Sequence, residues 1–273
     1  MCLGTMTMGR MSDESTAYDI LDKYVALGGD FLDTAEMYPV PVSPEYSGES
    51  ESIIGRWLAS RPGMREKLVI ATKVAGPNGP GDDAGVCMSR ERTLGGSVDS
   101  ARGLKCDLSR EQVFRACDAS LKRLGISTID LYQIHWPERY VPKFGGSQYF
   151  LEREAEAGND ASALMGFDAV VTTMGELIAA GKIREWGVSN ETSFGVCSLV
   201  EACVRLGVKK PSTRTFTVAD SYSIAFMQSW LWWCCCACAS RFPHEPWRDT
   251  ASHRAAPLRS HHPERLWPPL PHL

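Results

Sequence analysis

Glycine is missing from the last part of this 273-residue chain, since all 24 glycines lie at or before position 207. An ordinary usage of about 7% would place about four or five in a stretch of the length that remains. Lysine ends at Lys210, and His135 is the sole histidine before residue 244. Seven of the 16 prolines come after residue 242, and four cysteines crowd into WCCCACA (233–239). Composition therefore turns over near residue 210. That divides the chain into a regular portion (1–210), an apolar Cys-rich stretch (211–239) and a Pro/His/Arg-rich tail (240–273). PPLPHL, HHP and APLR carry neither a helical nor a strand period, so the tail is expected to be irregular and disordered.

Other absences exclude whole classes of function. The net charge is -4 and Lys and Arg form no stripe, which argues against a nucleic-acid partner. Residues 1–12 hold no charged stretch followed by an apolar run, so no secretory leader is read. The six cysteines before residue 204 are then expected to be reduced thiols in a cytoplasmic protein. No G-x-G-x-x-G is present. The nearest imitation, GPGDDA (79–84), puts Pro80 and two acids where a pyrophosphate and a helix start would need to be. The apolar run SIAFMQSWLWWCCCACA (223–239) is broken by Gln228 and falls short of the ~20 residues of a membrane span, so no membrane partner is expected. Adjacent cysteines cannot easily form a C-x-x-C clip, and no metal site is expected.

What is present is an alternation of short apolar strands and amphipathic helices. CLGTMTMG opens as a strand, and SDESTAYDILDKYVALGG places Ala17, Ile20, Leu21, Tyr24 and Leu27 near helical spacing, with Ser12 as its cap. FLDTAEMY (31–38) is the second strand, and ESESIIGRWLAS (49–60) a helix with Ile53, Ile54, Trp57 and Leu58 inward. The third strand is 68–74. A Gly-rich insertion (76–108) follows it, and then a helix opened by Ser109 with Gln112 in capping-box spacing and Val113, Cys117, Leu121 and Leu124 as its buried stripe. IDLYQIHW is strand four, and a second insertion spans 138–166. A helix carrying Val170, Val171, Met174, Leu177 and Ile178 inward, strand five in REWGVSN and a helix over 193–207 complete the regular portion. Five such units in succession imply parallel strands in an α/β fold of the (β/α)8 TIM-barrel type. Too few residues follow for three more units, so the barrel is expected to be incomplete, with five to six βα units and an irregular C-terminal tail.

Four polar residues stand at or just past the ends of these strands: Asp33, Tyr38, Lys73 and His135. In a (β/α) barrel the C-terminal strand ends converge on one face, so the four can share a pocket. Together with GTMTMG (4–9) and REWGVSN (184–190), these stretches resemble the aldo-keto reductases from about residue 2 to about residue 207, in particular a subgroup with long loops after strands two, three and four.

The resemblance implies NADPH-dependent reduction of an aldehyde or ketone to an alcohol, with a small-molecule carbonyl substrate. Tyr38 would donate the proton, Lys73 and Asp33 would tune it, and His135 would hydrogen-bond the carbonyl oxygen. A phenol with a pKa of about 10 is a weak donor at neutral pH, so the pKa of Tyr38 is expected to fall beside the ammonium. NADPH would lie extended on the barrel mouth, with Ser189 and Asn190 on its carboxamide and Tyr222 stacked on the nicotinamide. The segment VKKPSTRTFTVADSYS (208–223) departs from the family's sixth strand, with Ala219 and Asp220 where a Gln and an Asn are usual. Beyond Tyr222 nothing resembles the family's seventh and eighth strands or the basic loop that holds the cofactor's 2'-phosphate, so weak or no NADPH binding, impaired turnover and self-association through an uncovered sheet edge are expected. The alternative is a non-catalytic relative with a regulatory or interaction role, or none.

Overall fold

The computed structural model describes residues 2–76, 108–139, 141 and 166–212. Tyr222, the apolar Cys-rich stretch past Ser212, the tail, and most of both insertions lie outside the described residues. Five strands, β1 (Cys2–Gly4), β2 (Phe31–Asp33), β3 (Val69–Val74), β4 (Ile129–Ile134) and β5 (Ile183–Val188), form one sheet in the order β1-β2-β3-β4-β5. Every neighbouring pair is parallel. Helices α1 (Glu14–Ala26), α2 (Glu49–Ala59), α3 (Arg110–Leu124), α4 (Phe167–Ala179) and α5 (Ser193–Leu206) alternate with the strands. The described portion is thus five consecutive βα units of the (β/α)8 type.

Strand periodicity separates two faces of the sheet. In β3, Ile70, Thr72 and Val74 turn toward the helices, where Thr72 Oγ1 donates to Glu51 of α2. Tyr132 and Ile134 of β4 and Trp186 and Val188 of β5 join the same apolar layer, which holds Leu21, Trp57, Cys117, Met174 and Leu199 from the helices. Glu51 also accepts from Arg123 at 2.7 Å, tying α2 to α3. The two helices approach closely at Gly55, where a Cβ would lie 2.1 Å from the carbonyl oxygen of Arg123. At the opposite strand ends, Asp130 accepts from the Ile70 amide at 2.8 Å and pairs with Arg65 and Arg184.

Several local readings are corrected. Asp13, not Ser12, caps α1, its side chain accepting from the Thr16 amide; Ser12 instead bonds Thr7 O. On α1 only Ala17 and Leu21 are buried, while Ile20 and Leu27 face solvent, the latter standing past the last turn. Ser109 occupies the N-cap of α3 without a side-chain cap bond. Strand β2 ends at Asp33; Thr34 and Glu36 N–H still donate to β3, and the chain then leaves the sheet in a turn closed by Tyr38 N–H donating to Ala35 O.

Past α5 the chain returns along β5. Trp186 donates to Lys209 O through its indole and accepts from the Ser212 amide at its own carbonyl, each at 2.7 Å. No helix among the described residues is long and apolar enough to cross a membrane.

Candidate active site

The inner face of the sheet carries the polar side chains. Lys73 alternates with the helix-facing Thr72 and Val74 and stands opposite Gln133 in the β3–β4 register. His135, two residues beyond Gln133, continues the same face, and its amide donates to Val74 O at 3.0 Å. Asp33 ends β2 beside Ala71. Lys73, 2% exposed, donates to Asp33 Oδ2 at 2.5 Å and to Thr34 O at 2.8 Å. The other carboxylate oxygen of Asp33 accepts from Gln133 Nε2 at 3.1 Å.

Tyr38 reaches this cluster from the turn after β2. Its ring centre lies 5.0 Å from Lys73 Nζ and 5.6 Å from that of His135, which it meets nearly edge-on at 82°. The four side chains expected to share a pocket are brought together on one side of the sheet. At the end of β5, Ser189 is buried and its amide donates to Ile134 O at 2.8 Å. Asn190 adopts a positive φ of 55° and donates from Nδ2 to His135 O at 2.9 Å and to Ser189 Oγ at 3.2 Å. Both therefore border His135. Tyr222 is outside the described residues.

The electrostatics correct one expectation. The Tyr38 phenol is held above its ordinary value, first because burial disfavours the phenolate. The Lys73 ammonium pulls the other way, but Asp33, seated on that ammonium, opposes it. The phenol is therefore neutral at neutral pH. Burial, reinforced by the Lys73 cation, pushes His135 down to about 3, so its imidazole is neutral. Its Nδ1 is buried with no hydrogen-bond partner among the described residues.

Two residues of this neighbourhood escape a reading by strand ends. Gln133 could have been found from strand periodicity, since it sits two places before His135 on the same face. Glu36, buried between Asp33 and Tyr38 in sequence, accepts from the Ala75 amide at 2.6 Å, and no motif announces it. A cavity of ≈ 220 Å³ lies elsewhere, lined by Leu108, Ile134, Pro137, Arg139, Phe167 and Leu199 among others, and none of the four clustered side chains lines it. Among the described residues no group of three or more His, Cys, Asp or Glu is arranged to hold a metal ion.

The sequence profile of the Aldo/keto reductase family matches residues 1–229, past the point at residue 207 where the resemblance read from motifs ended, so that Tyr222 falls within the matched span. Protein tas of Escherichia coli (strain K12) is 41% identical over 222 residues, covering 81% of this chain and 56% of that protein. An aldo-keto reductase of Babesia bovis is 33% identical over 152 residues, covering 54% of this chain and 46% of its own length. The methylglyoxal reductase YeaE of Escherichia coli (strain K12) is 30% identical over 188 residues, covering 68% of this chain and 44% of its own. The chain spans about half the length of these curated relatives.

Proposed function

Because the chain belongs to the aldo/keto reductase family, an oxidoreductase family, we propose that it reduces aldehydes or ketones to alcohols with NADPH as the hydride source. The observation that carries this reading is the Lys73 ammonium, anchored on Asp33 and Thr34 O and 5.0 Å from the centre of the Tyr38 ring. A carbonyl oxygen seated between the Tyr38 hydroxyl and the neutral His135 imidazole would accept a hydrogen bond from each. Tyr38 would then transfer its proton to that oxygen as negative charge develops there. Lys73 would stabilise the phenolate left behind, at the moment when burial most disfavours it. Asp33, held by Gln133 on its far oxygen, would keep the ammonium in place.

When bound, the reduced nicotinamide would supply the hydride. The residues bordering His135 fit that end of the cofactor. Asn190 spends its donors on His135 O and Ser189 Oγ, which leaves its amide oxygen as an acceptor for a carboxamide N–H. Ser189 and Asn190 would hold the carboxamide and Tyr222 would stack on the ring. Titrating the purified chain with NADPH by fluorescence and then adding a reactive aldehyde tests the proposal. Steady oxidation that Tyr38→Phe abolishes is the expected result; binding and turnover absent in the wild type, or unchanged in Tyr38→Phe, would overturn it.

A further inference from the structure

We propose that Glu36 is a positioning residue for Tyr38, its carboxylate clasping the turn after β2 onto the end of β3; the catalytic part of this inference rests on the reductase reading above. Tyr38 stands on a turn and Lys73 on a strand, so their relation depends on what fastens one to the other. The parallel ladder between β2 and β3 continues past Asp33 by two hydrogen bonds. Thr34 N–H donates to Ala71 O at 2.9 Å, and Glu36 N–H donates to Lys73 O at 3.1 Å. In a regular parallel ladder the next bond would run from the Ala75 amide to the main-chain carbonyl of Glu36. Here the Ala75 amide donates to Glu36 Oε1, at 2.6 Å.

The substitution of a side-chain acceptor for a main-chain one has a consequence for the fold. The strand hydrogen bond is kept, while the main chain is released to turn out of the sheet at Ala35–Tyr38. That turn is what swings the Tyr38 ring over Lys73 and edge-on to His135. Glu36 is 1% exposed, so the acceptor that meets the Ala75 amide is protected from competing water. A serine or asparagine could not reach across the gap. The clasp requires an acceptor on a two-methylene stem.

Length and charge can therefore be separated. Glu36→Asp keeps the charge and withdraws the acceptor by one methylene; Glu36→Gln keeps the reach and an oxygen acceptor and removes the charge. A displacement of about 1 Å at a reacting group can cost about 100-fold in rate. Glu36→Asp and Glu36→Ala should accordingly lose about ten- to a hundredfold in kcat with little change in KM for the aldehyde. Glu36→Gln should recover most of that loss.

Two measurements on the cofactor-free protein read the clasp directly, whether or not turnover is found. Hydrogen exchange at the Ala75 amide should accelerate in Glu36→Asp and Glu36→Ala and stay slow in Glu36→Gln. Carbon NMR at the Tyr38 Cζ, assigned with Tyr38→Phe, should show the phenol midpoint falling toward its ordinary value in the two loss variants as the ring leaves its buried seat. If Glu36→Ala does not fold, the Asp and Gln variants still decide. Equal behaviour of Glu36→Asp and Glu36→Gln, or an unmoved Ala75 exchange rate and Tyr38 midpoint in the loss variants, overturns the clasp. A working clasp in a chain without reductase activity would instead count against the function proposed above.

Discussion

Replacing Lys73 by methionine keeps the stem of the side chain and deletes its charge. In the proposed reaction that charge acts on the phenolate which Tyr38 becomes as its proton leaves. The ammonium lies 5.0 Å from the ring centre, and opposite unit charges at such a separation attract by about 3 kcal/mol at an effective dielectric constant of about 20. Asp33, 2.5 Å from the ammonium, cancels part of this. What remains is about 2 kcal/mol, or about 30-fold in rate. Lys73→Met should therefore lower kcat by about 30- to 150-fold, the upper figure applying where Asp33 offsets little, with KM for the carbonyl almost unchanged. The attraction is absent while the phenol is neutral and grows only as it ionises. Steady-state NADPH oxidation at saturating cofactor measures the rate, and a thermal scan shows that the fold survives. Without cofactor, carbon NMR at Tyr38 Cζ should show a phenol midpoint raised further, because the cation that opposed burial is gone. A kcat within a few-fold of wild type, or a midpoint that falls, would refute the electrostatic account.

His135 makes the chain sensitive to mild acid. Its folded-state value is pushed down to about 3 from 6.5, so between those values the unfolded chain binds a proton that the folded one refuses, and stability rises with pH. The contribution is complete above about pH 6.5 and is lost as pH falls through the window; urea unfolding should show a steeper pH dependence there in the wild type than in His135→Gln. At Gly55 two effects oppose each other. Helix propensity alone makes Gly→Ala stabilising by about 1 kcal/mol, but the new Cβ would lie 2.1 Å from Arg123 O, and forced separation of packed helices costs about 1–3 kcal/mol. Gly55→Ala should thus lower the urea midpoint, and a raised midpoint would show that α2 and α3 can part freely.

The succession of units was legible because each strand is short, apolar and followed by a helical period, and local pattern is enough for that. The buried faces of α2 and α3 follow the same logic: Ile53, Ile54, Trp57 and Leu58 are buried as their spacing requires, and so are Val113, Cys117 and Leu124, with Leu121 partly buried. The pattern failed on α1, where an apolar letter at helical spacing does not by itself say which side is covered. Ile20 on α1 and Leu27 just past its end have helical spacing, yet both are exposed. The polar cluster was legible in its members but not in its supports. Asp33, Lys73 and His135 announce themselves as polar groups at strand ends, whereas Gln133 looks like an ordinary strand residue until the register sets it opposite Lys73. The end of β2 was misread for a related reason. FLDTAEMY continues to look extended through its apolar letters, whereas the strand ends at Asp33, the last ladder bond leaves Glu36 N–H, and the Ala75 amide then meets the Glu36 side chain in place of a main-chain carbonyl.

Burying an ammonium against a carboxylate is a poor way to gain stability, since desolvation can cancel the attraction. The Lys73–Asp33 pair is held nonetheless, and each member has a second partner. Thr34 O accepts from Lys73, and Gln133 donates to Asp33. Satisfying both groups removes the penalty of a half-solvated charge and leaves neither free to rotate. The arrangement is therefore set before any substrate arrives, which is the condition under which a fixed charge can favour a transition state without reorganising. Stability can be drawn from the other face of the same strands, where Trp57, Tyr132 and Trp186 are fully buried against the helices. The two-residue period of β3 and β4 is what allows one strand to serve both ends, with Thr72 and Tyr132 turned to the core and Lys73 and Gln133 turned to the site.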